Sequence, residues 1–134
     1  MSTADLKANR PLSPHLWIYR WPLTMVMSIV HRITGAGLYF GTLLLVWWLS
    51  AAASHDPGYF AFVNGIFGSW IGLIVLFGFT WALLHHMLGG IRHLVWDTGH
   101  MLDRTSRNTL ALATLAGSGF LTVLLWVVIV AVKA

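Results

Sequence analysis

Three long runs of this chain carry no Asp, Glu, Lys or Arg: Ile33 to His55, Pro57 to Ile91 and Asn108 to Val132. A bilayer core of ~30 Å is crossed by about 20 apolar residues in a helix, and each run supplies them. Of the 134 residues, 57% are hydrophobic and 9% charged. A soluble domain would carry roughly a quarter of its residues as charges. The pattern therefore predicts an all-α membrane protein with three transmembrane helices, near 23–54, 64–98 and 109–132. A polar segment, residues 1–22, precedes a single transmembrane domain, residues 23–134.

The basic residues set the orientation. Lys7, Arg10, Arg20, Arg32, Arg92, Arg104 and Arg107 fall at one end of these spans, and Lys133 stands alone at the other. This positive-inside asymmetry puts the N-terminus and residues 1–22 in the cytoplasm (or matrix) and the C-terminus outside. The net charge of +4 is then topogenic and does not point to nucleic acid. The first twenty residues hold no apolar run of the kind a cleaved signal peptide needs.

The chain has no cysteine and no glutamate. A disulfide, a cysteine-held iron–sulfur cluster and a covalent C-x-x-C-H haem are thereby excluded. None of the four aspartates, at 5, 56, 97 and 103, lies deep in a span, which disfavours a carboxylate-driven pump. Two G-x-x-x-G pairs, Gly37 with Gly41 and Gly68 with Gly72, offer sites for close helix contact.

Polar chemistry gathers in "HHMLGGIRHLVWDTGH", His85–His100, and in "SIVHRITG", Ser28–Gly35. His86 stands ~18 Å from the end of its span and needs a partner there. His86, His93 and His100 recur every seven residues on one face, with Gly89 and Gly90 beside His86. His85 points ~100° away, toward a face filled by Leu88, so His86 is the better ligand candidate of the pair. Either a ligand role or a hydrogen bond to a neighbouring helix satisfies it. In span one, Ser28 and Arg32 share a face, with His31 beside them, ~5–10 Å deep. Arg92 and His93 lie at similar depth. An anion with an apolar body and a central metal suits this set, and haem b is one: iron on His86, carboxylates toward Arg32, His31 and His93. Snorkelling to headgroups is the other reading of Arg32 and Arg92. His31 and His86 are expected to differ in depth by ~10 Å. They would then not clamp one iron, and a second membrane chain is expected.

"RPLSPHLWIY" at 10–19, "SIVHRITG" at 28–35 and "HMLGGIRHLVWDTGH" at 86–100 occur in one order and spacing. Together they resemble the cytochrome b large membrane-anchor subunits of succinate dehydrogenase, respiratory complex II, across essentially the whole chain. The resemblance implies three transmembrane helices that pack with a second small anchor subunit around a non-covalent haem b. It implies His86 as the axial iron ligand, with the second axial ligand from the partner. Ser28 and Arg32 take the ubiquinone-site positions, and His31, Arg32 and His93 neighbour the haem carboxylates. Gly89 stands where many members have Asn. Further implied partners are an iron–sulfur subunit and the flavoprotein that holds the succinate site, in a bacterial inner membrane. Electrons from succinate would then reach quinone near the cytoplasmic face. Two alternatives share the sequence features: the anchor of a fumarate reductase running the reaction in reverse, and a haem-free, histidine-lined metal or proton translocator.

Overall fold

The computed structural model describes residues 19–133. Lys7, Arg10 and most of the "RPLSPHLWIY" stretch lie outside the described residues, as does most of the expected cytoplasmic segment 1–22. Four helices follow: α1 Leu23–Ala53, α2 Pro57–Gly68, α3 Trp70–Asp97 and α4 Arg104–Lys133. There is no strand among the described residues. Helices α1, α3 and α4 are long and apolar enough to cross a membrane. At 1.5 Å per residue each exceeds the ~30 Å hydrocarbon core, so their ends reach beyond it.

The sequence places the start of the second span at Asn64; the structure places it at Trp70. Local capping accounts for the difference. Asp56 accepts hydrogen bonds from the Gly58 and Tyr59 amides at 2.9 and 3.1 Å, and Pro57 occupies the first helical position. These are strong start signals, and they make α2 a helix of its own where a loop is expected. Ser69 is extended (φ −67°, ψ 160°) and breaks the run, and its hydroxyl accepts from the Gly72 amide at 3.1 Å to open α3. α2 is tied to the outer half of α1 by Trp47 donating to Tyr59 at 2.9 Å and Trp48 donating to Asn64 at 3.2 Å.

Helix α3 is central and packs against the other three. Neighbours run antiparallel: Gly35 and Gly41 of α1 approach His86 and Phe79 of α3, while Gly117 of α4 approaches Leu88. Antiparallel packing brings Arg20, Arg32, Arg92, Arg104 and Arg107 to one end of the bundle and leaves Lys133 at the other. Each glycine pair contributes one close contact. A Cβ on Gly41 would overlap the Phe79 ring and one on Gly72 the carbonyl of Ile66, whereas Gly37 and Gly68 face open space.

The interior is polar. The buried side chains comprise Thr34, His85, Arg92, Thr114, Ser118 and Thr122 against Met27, Ala51, Val63 and Ala111. Large apolar residues such as Tyr39, Phe40, Ile74 and Val132 face outward. A water-soluble fold sorts its residues the other way; hydrocarbon reverses the preference and leaves close packing and hydrogen bonds to join the helices. Ala111, Thr114, Ser118 and Thr122 recur every three to four residues on α4, and the hydroxyls of Thr114, Ser118 and Thr122 bond their own helix carbonyls. They form a narrow stripe on which α3 sits.

Candidate functional site

The site is built by the Ser28–Gly35 turns of α1 against the His85–Trp96 turns of α3. His86 reaches across to α1, where its Nδ1 lies 3.1 Å from the carbonyl oxygen of His31 and 3.4 Å from Thr34 Oγ1. The Thr34 hydroxyl itself donates to that carbonyl at 2.9 Å. A carbonyl only accepts, so Nδ1 carries the proton and donates. The lone pair is left on Nε2, the arrangement that orients an imidazole for a metal. Gly35 permits the approach, because a Cβ there would stand 3.0 Å from His86 Cε1.

His31 is not offset from His86. The two rings stack with centroids 3.9 Å apart and planes within 6°. This corrects the expected ~10 Å difference in depth. Counted from the helix ends now defined, His31 is eight residues from Leu23 and His86 eleven from Asp97, a difference of ~4 Å before tilt. The conclusion that they do not clamp one iron survives for another reason: stacked rings turn faces, not lone pairs, toward each other. The space expected beside Gly89 is taken by the His31 ring, since a Cβ on Gly89 would lie 2.5 Å from its Nδ1. Gly90, in contrast, faces open space.

His93 stands two turns beyond His86 toward the basic end, its ring 5.6 Å from that of His31 and 5.2 Å, edge-on, from that of Trp96. Arg92 is buried, with its guanidinium carbon 5.0 Å from the Trp96 ring centroid. The structure thus brings His31, His86 and His93 together, and it adds Arg92 and Trp96. The sequence places Arg92 in this layer, as part of an anion-suiting set or snorkelling to headgroups; its contact with Trp96 was signalled by their i,i+4 spacing.

Ser28 and Arg32 are placed differently. Arg32 lies ~140–160° around α1 from the buried Met27 and Thr34, and its side chain is exposed. Ser28 is half-buried on the flank between them. The pair therefore faces away from this chain's own bundle, and Arg32 does not converge with His31 and His93. His85 points into the α3–α4 seam, where it is 1% exposed, with Nδ1 3.2 Å from Ser118 Oγ and the Trp81 ring stacked at 5.1 Å. That is an internal helix-joining histidine. Among the described residues no three His, Asp or Glu side chains converge as a metal site.

The sequence matches the family described as succinate dehydrogenase/fumarate reductase transmembrane subunit over residues 7–130. The succinate dehydrogenase cytochrome b556 subunit of Paracoccus denitrificans is 46% identical over 122 residues, covering 91% of this chain and 93% of the relative. The corresponding subunit of Rickettsia felis is 38% identical, covering 92% and 95%. The succinate dehydrogenase cytochrome b560 subunit of Marchantia polymorpha is 40% identical over 125 residues, covering 89% and 90%. The matched region takes in all three long apolar helices and both polar turns of the site. The chain is a multi-pass membrane protein, and it belongs to the succinate dehydrogenase/fumarate reductase transmembrane-subunit family.

Proposed function

We propose that this chain is the haem b-carrying membrane anchor of a succinate:ubiquinone oxidoreductase in a bacterial inner membrane, with its N-terminus on the cytoplasmic side. The observation that carries the reading is the His86 imidazole, whose Nδ1 is committed to the His31 carbonyl so that Nε2 is free to hold iron. The residues present fit the group: Gly35 lets the ring lie close to α1, Gly90 leaves open space beside it, and the unpaired donors of Arg92 and Trp96 stand about two to three turns toward the basic end. When bound, haem b supplies a one-electron acceptor beside the quinone. His86 would hold it, His31 stacks on the His86 ring, and His93 would stand toward its carboxylates.

The quinone is substrate. Ser28 and Arg32 line the face of α1 that turns away from this chain, where neighbouring subunits and a quinone can reach it. The Ser28 hydroxyl holds one quinone oxygen by a hydrogen bond. The Arg32 guanidinium stabilises negative charge developing on that oxygen, a contribution that grows as the site is closed to water. Electrons arrive from an iron–sulfur subunit docked at the basic end, and the flavoprotein bound to it oxidises succinate; neither activity resides in this chain. A second small anchor would complete the hold on the group, because the stacked His31 is not oriented to do so. A histidine-lined translocator is disfavoured, since His85 is consumed by Ser118 and the three aspartates of the described residues are all exposed.

Affinity purification of the tagged chain in mild detergent tests this reading. A second small anchor, an iron–sulfur subunit and a flavoprotein should co-purify in equal amounts, with one haem b that succinate reduces. Recovery of the chain alone, without haem, would refute it.

A further inference from the structure

The carbonyl oxygen of His31 has more donors than lone pairs. Helix geometry gives it the Gly35 amide, four residues on in α1. The Thr34 hydroxyl donates to it at 2.9 Å, and His86 Nδ1 approaches it at 3.1 Å. A carbonyl carries two lone pairs and the helix ladder takes one, so the hydroxyl and the imidazole compete for the other. Thr34 is 4% exposed, and bulk water does not relieve the competition. Its bond also differs from those of other threonines in the bundle. Thr42, Thr80, Thr114 and Thr122 each donate to the carbonyl four residues back, whereas Thr34 donates three back, to the carbonyl that His86 uses. Both choices are open to a helical threonine. The hydroxyl oxygen lies 3.4 Å from Nδ1 itself. That is beyond the ~2.7–3.2 Å of an ordinary N–H···O bond, so its pull on the Nδ1 proton is the weaker of its two effects.

We propose that Thr34 is a positioning residue that limits the charge His86 can give to a metal, by engaging the carbonyl that anchors Nδ1. This rests on the reading of His86 as the haem ligand. A stronger bond from Nδ1–H to its acceptor makes the imidazole more electron-rich at Nε2, and an electron-rich ligand favours the oxidised, more positive metal. With Thr34 donating beside it, the carbonyl is a poorer acceptor for Nδ1–H. The imidazole is then a weaker donor, and the reduced state is favoured. The Thr34 hydroxyl therefore raises the potential at which the bound haem takes up an electron.

The test is a redox titration of the haem in the assembled complex, comparing Thr34→Val and Thr34→Ser with the parent. Valine keeps the shape and removes the donor; serine keeps the donor. Only the part of one hydrogen bond that differs between the two oxidation states counts, so Thr34→Val should shift the equilibrium about three- to fivefold toward the oxidised form. At 59 mV per tenfold for one electron, the midpoint falls by ~30–40 mV. Thr34→Ser should titrate with the parent. The low-spin electron paramagnetic resonance signal should move in Thr34→Val and stay in place in Thr34→Ser. An unchanged or raised midpoint in Thr34→Val would overturn the inference and leave the haem reading standing. Loss of haem from Thr34→Val, with the remainder titrating as the parent, would overturn it as well, because packing alone explains that pattern. An equal fall in both variants would do the same, since one of them keeps the donor. Should Thr34→Val fail to assemble, Thr34→Ala removes the same donor and is judged by the same sign. A parent complex without low-spin haem would refute the haem reading and this inference together.

Discussion

Gly35→Ala places a methyl group against His86, the histidine proposed to hold the haem. The new Cβ would stand 3.0 Å from His86 Cε1 and 3.5 Å from Nδ1. Carbon atoms rest at about 3.5–4.0 Å, so the ring must withdraw from α1 by ~0.5–1 Å. Withdrawal lengthens the Nδ1–His31 carbonyl bond from 3.1 Å to beyond the ~3.5 Å at which a hydrogen bond is lost. Overpacking costs about 1–3 kcal/mol and the lost bond about 0.5–1.5 kcal/mol. A net penalty of ~2 kcal/mol corresponds to roughly a 30-fold weaker hold on the haem. Gly35→Val, with two more methyl groups, should be worse. Gly37→Ala is the internal control: nothing lies within 4 Å of its Cβ, and alanine favours the helix by up to ~1 kcal/mol. Haem content per assembled complex and the low-spin optical and electron paramagnetic resonance signals read the outcome. Full haem content with an unshifted spectrum in Gly35→Val, or equal losses in Gly35→Ala and Gly37→Ala, would refute the reasoning.

Arg32→Ala should cut succinate–quinone reductase activity by roughly 10²–10³, and Ser28→Ala by less. Succinate oxidation by an artificial acceptor should survive, with haem content measured in the same samples. Gly41→Ala drives a Cβ into the Phe79 ring, but that ring borders a groove of about 420 Å³ into which it can swing. The cost should sit at the low end of overpacking, ~1 kcal/mol by thermal unfolding in detergent, and Phe79→Leu should restore the loss. Asp103 caps α4 by accepting from the Ser106 amide at 2.9 Å, and hydrogen bonds from Ser106 hold its carboxyl below the ordinary carboxylate range. A lowered folded value means the cap is fully present above about pH 4 and is lost as pH falls through the folded value. Amide exchange at Thr105–Arg107 should quicken there, and Asp103→Ala should show the fast rates at neutral pH.

The three spans were legible because charge-free runs of bilayer length admit little else, and helical angle was enough to put His86 and His85 on different faces of α3. His85 faces Ser118, as a residue ~100° around the helix from its neighbour must if the neighbour faces α1. The separate helix α2 was misjudged although its start was written in Asp56-Pro57; an apolar run continuing through Ser69 hid the break. The depth of His31 against His86 was not recoverable, because each span was measured from its own supposed surface. The relative offset of antiparallel helices is set by which glycine meets which side chain, here Gly35 and His86. Arg92 was seen, but its burial depends on α1 and α4 closing around one face of α3, and one helix's periodicity does not reveal that. Arg32 is the converse: its residue type and neighbours promised convergence with His31, and helical angle sends it outward.

The role of His86 is tested most directly by the absorption spectrum of the purified complex in two single variants. His86→Leu should abolish the low-spin haem b spectrum or convert it to high-spin. His85→Leu should keep it, because Ser118 retains its bond to the Leu115 carbonyl at 2.9 Å and the haem-facing side of α3 is untouched. A parental low-spin spectrum in His86→Leu, with its loss in His85→Leu, would contradict the site as built.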